Sequence, residues 1–173
     1  MTVAVLFVRA DSHYKTMPGV DAWDAERDAR EYNGLLPVVA HPPCRAWGRY
    51  AHWAKPREGE KELALFAVEK VRQLGGVLEH PAASRLWGAA GLPEPGKRDE
   101  FGGQALVVNQ SWWGHRAPKA TRLYVVGASS IPEIPMKLGV AAGRIENMNV
   151  REREMTPPAF AEWLVELARR CRK

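Results

Sequence analysis

The run Val3-Ala4-Val5-Leu6-Phe7-Val8 is apolar at every position and does not alternate. A strand with one face in water alternates with period two. This run therefore reads as a strand buried on both faces, as in a parallel sheet covered by helices. Residues 35–40 (Leu-Leu-Pro-Val-Val-Ala) read the same way, and Gly76-Val77-Leu78-Glu79 is a third, shorter strand emerging at His80-Pro81. Between the second and third, residues 59–74 read as a helix. Leu63, Ala67, Val71 and Leu74 share one face at helical spacing, and Gly75-Gly76 ends it. Strand, helix, strand with short links implies right-handed crossovers and a parallel sheet. The expected fold is α/β: Rossmann-like, a mostly parallel sheet with flanking helices in a single domain.

The remaining segments are filled in around that frame. Residues 11–19 read as a polar loop and the charged stretch 21–32 as a short helix. Residues 88–103, rich in Gly and Pro, read as a loop. Strands over 104–109 and 122–126 flank a tryptophan turn, and 129–153 has little periodicity. Thr156-Pro157 reads as an N-cap followed by proline in the first turn. Phe160, Trp163, Leu164, Leu167 and Cys171 then form an apolar stripe, with cations at the helix end. This divides the chain into a core of about residues 1–128 and an extension with a helix over about 156–171. At 173 residues, one domain is expected, and it can bury a core without staples.

The two cysteines, Cys44 and Cys171, lie too far apart in sequence to suggest a disulfide framework. No signal peptide is legible at the N-terminus, and the apolar run at 3–8 is far shorter than a membrane span. The expected setting is the cytoplasm, with no membrane partner. The net charge of +5 and pI of about 9.4 permit an anionic partner such as nucleic acid. Seven tryptophans in so short a chain are either core or platforms on which bases stack.

In parallel sheets, chemistry gathers at the carboxyl ends of the strands. Cys44 and Glu79 both lie just past expected strand ends, thirty-five residues apart, which leaves room for one helix between adjacent strands. In His41-Pro42-Pro43-Cys44 the prolines fix a rigid turn and so hold the thiol in one place. A thiol there becomes a nucleophile if nearby cations such as Arg45 or a histidine lower its pKa. Taken alone, Cys44 reads equally as a small buried residue at a turn. A desolvated Glu79 could act as a general acid; taken alone it reads as an ordinary solvated glutamate. His115, Arg116, Lys119 and Arg122 make the turn between the last two strands basic, suited to phosphate or a base edge, or simply solvated.

The three segments together resemble, in order and approximate spacing, three catalytic motifs of the cytosine-C5 DNA methyltransferase family. Pro42-Pro43-Cys44 is similar to its Pro-Pro-Cys nucleophile loop. Glu79-His80-Pro81 is similar to its Glu-Asn-Val motif, with histidine for asparagine. Lys119-Ala120-Thr121-Arg122, with the strand that follows, resembles its Gln-x-Arg-x-Arg segment. The likeness covers residues 35–127, about half the chain. The chain also resembles small phage and prophage proteins with the same Pro-Pro-Cys core. The resemblance implies a pyrimidine-C5 enzyme acting on DNA. Cys44 would attack C6, Glu79 would meet N3, and Arg122 would complete the catalytic set. Arg45, Trp47, Trp112, Trp113, His115, Arg116 and Lys119 would bind the nucleic acid or a flipped-out base.

Departures from the family shape the cofactor expectation. The family's first strand ends in a Phe-x-Gly-x-Gly loop around S-adenosylmethionine. Here Phe7 is followed by Val8-Arg9-Ala10-Asp11, and no glycine appears before Gly19. Arg9, Asp11, Ser12, His13 and Asp24 are instead the candidates for a cofactor or small-ligand loop. The family's large target-recognition region is absent. Three readings stay open: a methyltransferase with a divergent cofactor loop, C5 chemistry without S-adenosylmethionine, and a non-catalytic DNA- or nucleotide-binding protein. DNA is the expected partner, with a free nucleotide and a homodimer as alternatives. A zinc grouping of His41, Cys44, His52 and His80 fits no standard spacing, and no metal is expected.

Overall fold

The computed structural model describes residues 1–48, 51, 53–137, 143 and 147–173. His52, part of the zinc grouping considered above, lies outside the described residues. Six strands form one sheet: β1 (Val3–Leu6), β2 (Val20–Trp23), β3 (Val38–Ala40), β4 (Gly76–Pro81), β5 (Gln104–Asn109) and β6 (Ala120–Val126), in the order β2-β1-β3-β4-β6-β5. β2, β1, β3 and β4 are parallel neighbours, and β6 runs antiparallel between β4 and β5. Among the described residues, four helices accompany the sheet: α1 (Glu60–Leu74), α2 (Leu86–Ala89), α3 (Val150–Glu154) and α4 (Pro158–Arg169). The α/β class expected from the sequence is what forms, as one compact unit.

Period-two alternation divides the strand side chains between two cores. Val3, Val5, Val39, Val77, Leu123 and Val125 face α4, which buries Phe160, Ala161, Leu164, Val165, Leu167 and Ala168 against them. Ala4, Leu6, Val38, Ala40, Leu78, Tyr124 and Val126 face the other way, against Ala64, Ala67, Val68 and Val71 of α1. A helix on each face is the physical reason the central strands read as unbroken apolar runs. The buried stripe of α1 is centred on Ala64, Ala67, Val68 and Val71, with Leu63 at its margin. Small residues there let the helix approach the sheet closely. Gly76 opens β4 at φ +127°, and a Cβ there would run into the backbone of Val38. Only glycine admits that pairing.

Several expectations need correction. The first strand ends at Leu6, because Phe7 takes a left-handed φ of 65° and turns the chain out of the sheet. The stretch 21–32 is not a helix. Its first part pairs with the free edge of β1 as β2, and the rest holds a 3-10 turn over Ala29–Glu31. Sheet pairing outweighed local helix preference there. The carboxylate of Asp24 then accepts from the backbone N–H groups of Glu26 and Arg27, which closes a turn instead of a helix. At α4 the cap is Pro157, not Thr156, and its carbonyl accepts from the N–H groups of Phe160 and Ala161. α4 is no appendage to a core of residues 1–128, since it supplies one of the three layers.

Candidate active site

β1 lies between β2 and β3, so the chain leaves the carboxyl end of β1 toward one neighbour and the carboxyl end of β3 toward the other. The loops diverge there, and the sheet edge between such loops is the usual place for a ligand in open α/β sheets. Because β6 is reversed, its first residues reach the same edge, and the β5–β6 hairpin brings Gln110 and Lys119 with it. The 3-10 turn His13–Thr16 after β1 adds Tyr14, which is 1% exposed.

Local sequence explains how each side chain is presented. The His41 N–H donates to the Leu6 carbonyl at 3.1 Å, the last rung of the β3 ladder. Pro42 and Pro43 have no N–H to continue it. The Cys44 carbonyl then accepts from the N–H groups of Trp47 and Gly48, so Cys44 opens a tight turn. Glu79 sits in β4 opposite Leu123 of β6, on the face that α4 covers farther along. Its carboxylate accepts from His41 Nδ1 at 3.0 Å through Oε2, and from Gln110 Nε2 at 3.1 Å through Oε1. Gln110 Nε2 also donates to Thr121 Oγ1 at 2.9 Å, and the Thr121 hydroxyl donates to the Lys119 carbonyl at 3.3 Å. At the other end, His41 Nε2 and the Tyr14 hydroxyl are 2.9 Å apart. One hydrogen-bonded chain thus runs from Tyr14 through His41, Glu79 and Gln110 to Thr121.

The electrostatics follow from this chain. Burial pushes the Glu79 carboxyl up, but the hydrogen bond and charge of His41, with Lys119 behind it, bring it down to about 2. It is an anion at neutral pH. The Cys44 thiol is pushed up by burial first and by the Glu79 charge second, against the pull of Lys119. Cys44, Glu79 and Lys119 therefore lie within one another's electrostatic reach, and the resting cysteine is a thiol. Burial, with the Glu79 charge, holds the Tyr14 hydroxyl well above its ordinary range.

Of the residues singled out in the sequence, Cys44, Glu79 and Lys119 are brought together. Arg122 is not: it alternates to the α1 face with Tyr124. Its guanidinium stacks 4.8 Å over Trp87, donates to the Pro93 carbonyl and lies 3.5 Å from Glu94. Trp47 is core, its indole N–H on the Lys61 carbonyl. Trp113 packs between Phe160 and Trp163, and Trp112 is half-buried against the same cluster. His115 is buried in its own turn, with the Ala117 N–H donating to Nδ1. Arg45 donates to Glu60 at the start of α1, and exposed Arg116 pairs with Glu152.

The loop candidates after β1 are engaged with one another. Arg9 pairs with Asp11 and with Glu154 of α3, and Arg151 also reaches Asp11. The Ser12 backbone closes turns with Arg9 and Lys15, and His13 lies 3.5 Å from Glu162. Lys15 holds Asp24 at 2.6 Å, while the other Asp24 oxygen takes two backbone N–H groups. S-adenosylmethionine would need a close backbone approach after β1 and a free acidic acceptor. The chain carries Phe7, Val8 and Arg9 at the approach, the buried Tyr14 ring lies 5.3 Å from the His41 ring, and the Asp24 carboxylate is spent. These residues do not fit that group. Among the described residues, no group of three or more His, Cys, Asp or Glu side chains is arranged to hold a metal ion. No helix among them is long and apolar enough to cross a membrane.

Sequence reasoning missed Tyr14, Gln110 and Thr121, and did not pair His41 with Glu79. The rule that found Cys44 and Glu79, position just past a strand end, would also have found Gln110, which directly follows β5. An open groove of about 530 Å³ lies beside the Cys44 turn, against Trp47 and between Arg57, Lys61 and Arg85.

No protein-family model, no curated protein and no solved structure matches this chain.

Proposed function

We propose that this protein modifies a pyrimidine base at C5, with DNA as the substrate polymer, through attack of Cys44 Sγ on C6. The observation that carries the reading is that Cys44 in the loop after β3, Glu79 in β4 and Lys119 in the β5–β6 hairpin lie within one another's electrostatic reach at one sheet edge. Cysteine beside glutamate in this order is what the resemblance to pyrimidine-C5 methyltransferases leads one to expect. A Rossmann-like reading of the sheet supports it. The order β2-β1-β3-β4 is that of a doubly wound sheet, whose switch point lies between β1 and β3.

The resting thiol is a poor nucleophile, and the charge of Glu79 contributes to that. A base that hydrogen-bonds to Glu79 spreads its charge and leaves the pull of Lys119 on Cys44 less opposed. The nucleophile is then activated by the substrate itself. The thiolate adds to C6, C5 gains electron density and meets an electrophile, and the thiolate leaves by elimination. A base in a duplex must be extruded to reach Sγ. The groove lined by Arg57, Lys61 and Arg85 beside the Cys44 turn suits the phosphodiester backbone of the same strand.

Water alone can be the electrophile's source, so the reading is testable without any co-substrate. Addition of Sγ, protonation of C5 by solvent, loss of the original hydrogen and elimination exchange the C5 hydrogen. A single-stranded oligonucleotide containing cytosine and uracil, incubated in deuterated water, is expected to gain deuterium at C5 with the wild type and none with Cys44→Ser. Intact DNA binding with no exchange in either protein would replace this reading with that of a non-catalytic DNA-binding protein.

A further inference from the structure

We propose that the base taken by this site is a 4-oxo pyrimidine, of the uracil and thymine type, and not cytosine. The proposal rests on the pyrimidine-C5 reading above and names its substrate class. Glu79 carries it. Each carboxylate oxygen accepts from a donor of the protein, His41 Nδ1 on Oε2 and Gln110 Nε2 on Oε1. The direction of the second bond is set by Thr121, whose own hydrogen is turned to the Lys119 carbonyl, so that its oxygen accepts from the same Gln110 nitrogen. A carboxylate held by donors on both oxygens has lone pairs to offer a ligand and no hydrogen. The low Glu79 pKa agrees with this geometry. Uracil and thymine carry a hydrogen on N3 and can donate it to Glu79. Cytosine presents a bare lone pair at N3, and two acceptors would face each other in a dry site.

The flow of charge during addition points the same way. When the Sγ–C6 bond forms on a 4-oxo pyrimidine, the C5=C6 electron pair moves toward C4, and O4 becomes an enolate oxygen. Such a site needs a cation where that charge develops. The charge of Lys119 reaches both Cys44 and Glu79, and its ammonium has no ion-pair or hydrogen-bond partner among the described residues. On cytosine, the same addition needs a proton delivered to N3, which an ionised Glu79 does not have. The cycle balances with water alone. The Cys44 proton passes to solvent on entry, C5 takes a proton from water and gives up its original one, the Sγ–C6 bond breaks, and the thiolate regains its proton. Nothing is oxidised or reduced.

The test compares two single-stranded oligonucleotides that differ at one position, deoxyuridine in one and deoxycytidine in the other. Deuterium uptake at C5 is read by mass spectrometry with the full chain. The wild type is expected to exchange the deoxyuridine roughly 10⁴-fold faster, the scale on which a site built to hydrogen-bond a substrate N–H rejects the analogue that lacks it. Glu79→Gln, whose amide can turn an N–H toward N3 of cytosine, is expected to shrink that ratio at least about tenfold. Deoxycytidine exchanging as fast as deoxyuridine in the wild type would overturn the substrate class while leaving the pyrimidine reading standing. An absence of Cys44-dependent exchange at both bases would overturn the two together.

Discussion

The carboxyl edge of the sheet holds two sets of polar contacts that are built in opposite ways. The chain from Tyr14 through His41 and Glu79 to Gln110 and Thr121 is buried or nearly so, and its members come from β4, β6 and the segments that follow β1, β3 and β5. The ion pairs that tie α3 to the rest of the edge, Arg9 with Glu154, Arg151 with Asp11 and Arg116 with Glu152, have well-exposed side chains. Water screens the second set and not the first. The buried chain therefore fixes geometry at the candidate nucleophile, whereas the outer pairs cost little to open. The rim can therefore open without disturbing Glu79.

The contrast can be broken most forcefully at His41. His41→Leu leaves the Glu79 carboxylate buried with its nearest donor gone, a change expected to cost about 3 kcal/mol or more. Urea unfolding at neutral pH would measure it, and a cost below about 1 kcal/mol would mean that the chain is not the rigid element described here.

Acid titration separates two buried groups. Glu79 has a folded pKa of about 2 against an ordinary 4.5, so its contribution is complete above about 4.5 and is lost as pH falls toward 2. Burial lowers His80 from 6.5 to about 4, so its imidazole stays neutral in the fold and charges first in the unfolded chain. Its contribution is complete above about 6.5 and is lost as pH falls toward 4. Each window corresponds to about 3 kcal/mol at most. His80→Phe is expected to flatten the upper window and leave the lower one, in unfolding curves taken from pH 7 to 2.

Tyr14→Phe removes a single hydrogen bond at the end of the chain and should cost about 1 kcal/mol. The same variant should leave Cys44-dependent exchange in place, since the His41–Glu79 contact remains. The smallest change is expected at the rim, where Arg116→Ala should alter stability by less than about 1 kcal/mol. A larger loss in thermal unfolding would show that the ion pairs around α3 form a network and do not act as separate surface pairs.

Much of the frame was legible because it depends on local composition. Unbroken apolar runs announced β1 and β3, and an apolar stripe with proline at its start announced α4. Position past a strand end picked out Cys44 and Glu79. β2 was not legible, since Val20-Asp21-Ala22-Trp23 is charged, edge-lying and only half-buried, and becomes a strand because β1 offers a free edge. Arg122 was misplaced for a related reason. The spacing of motifs says nothing about the pleat, and one residue's step along β6 sends its guanidinium to Trp87 on the far face. Trp113 read as a stacking platform, yet it is packed by Phe160 and Trp163 from a helix nearly fifty residues away.

By itself the amino-acid sequence determined the class of fold, the two buried faces of the central strands and the rigid turn that presents Cys44. Each of these is a property of neighbouring side chains and of backbone rules that act over a few residues. The tertiary structure alone decided that His41, Glu79, Gln110 and Thr121 share one hydrogen-bonded chain, that Glu79 stays an anion despite its burial, and that burial with the Glu79 charge moves the Cys44 thiol further from ionisation. Protonation states depend on burial and on donors within a few ångströms, and those donors come together only when β6 turns back beside β4.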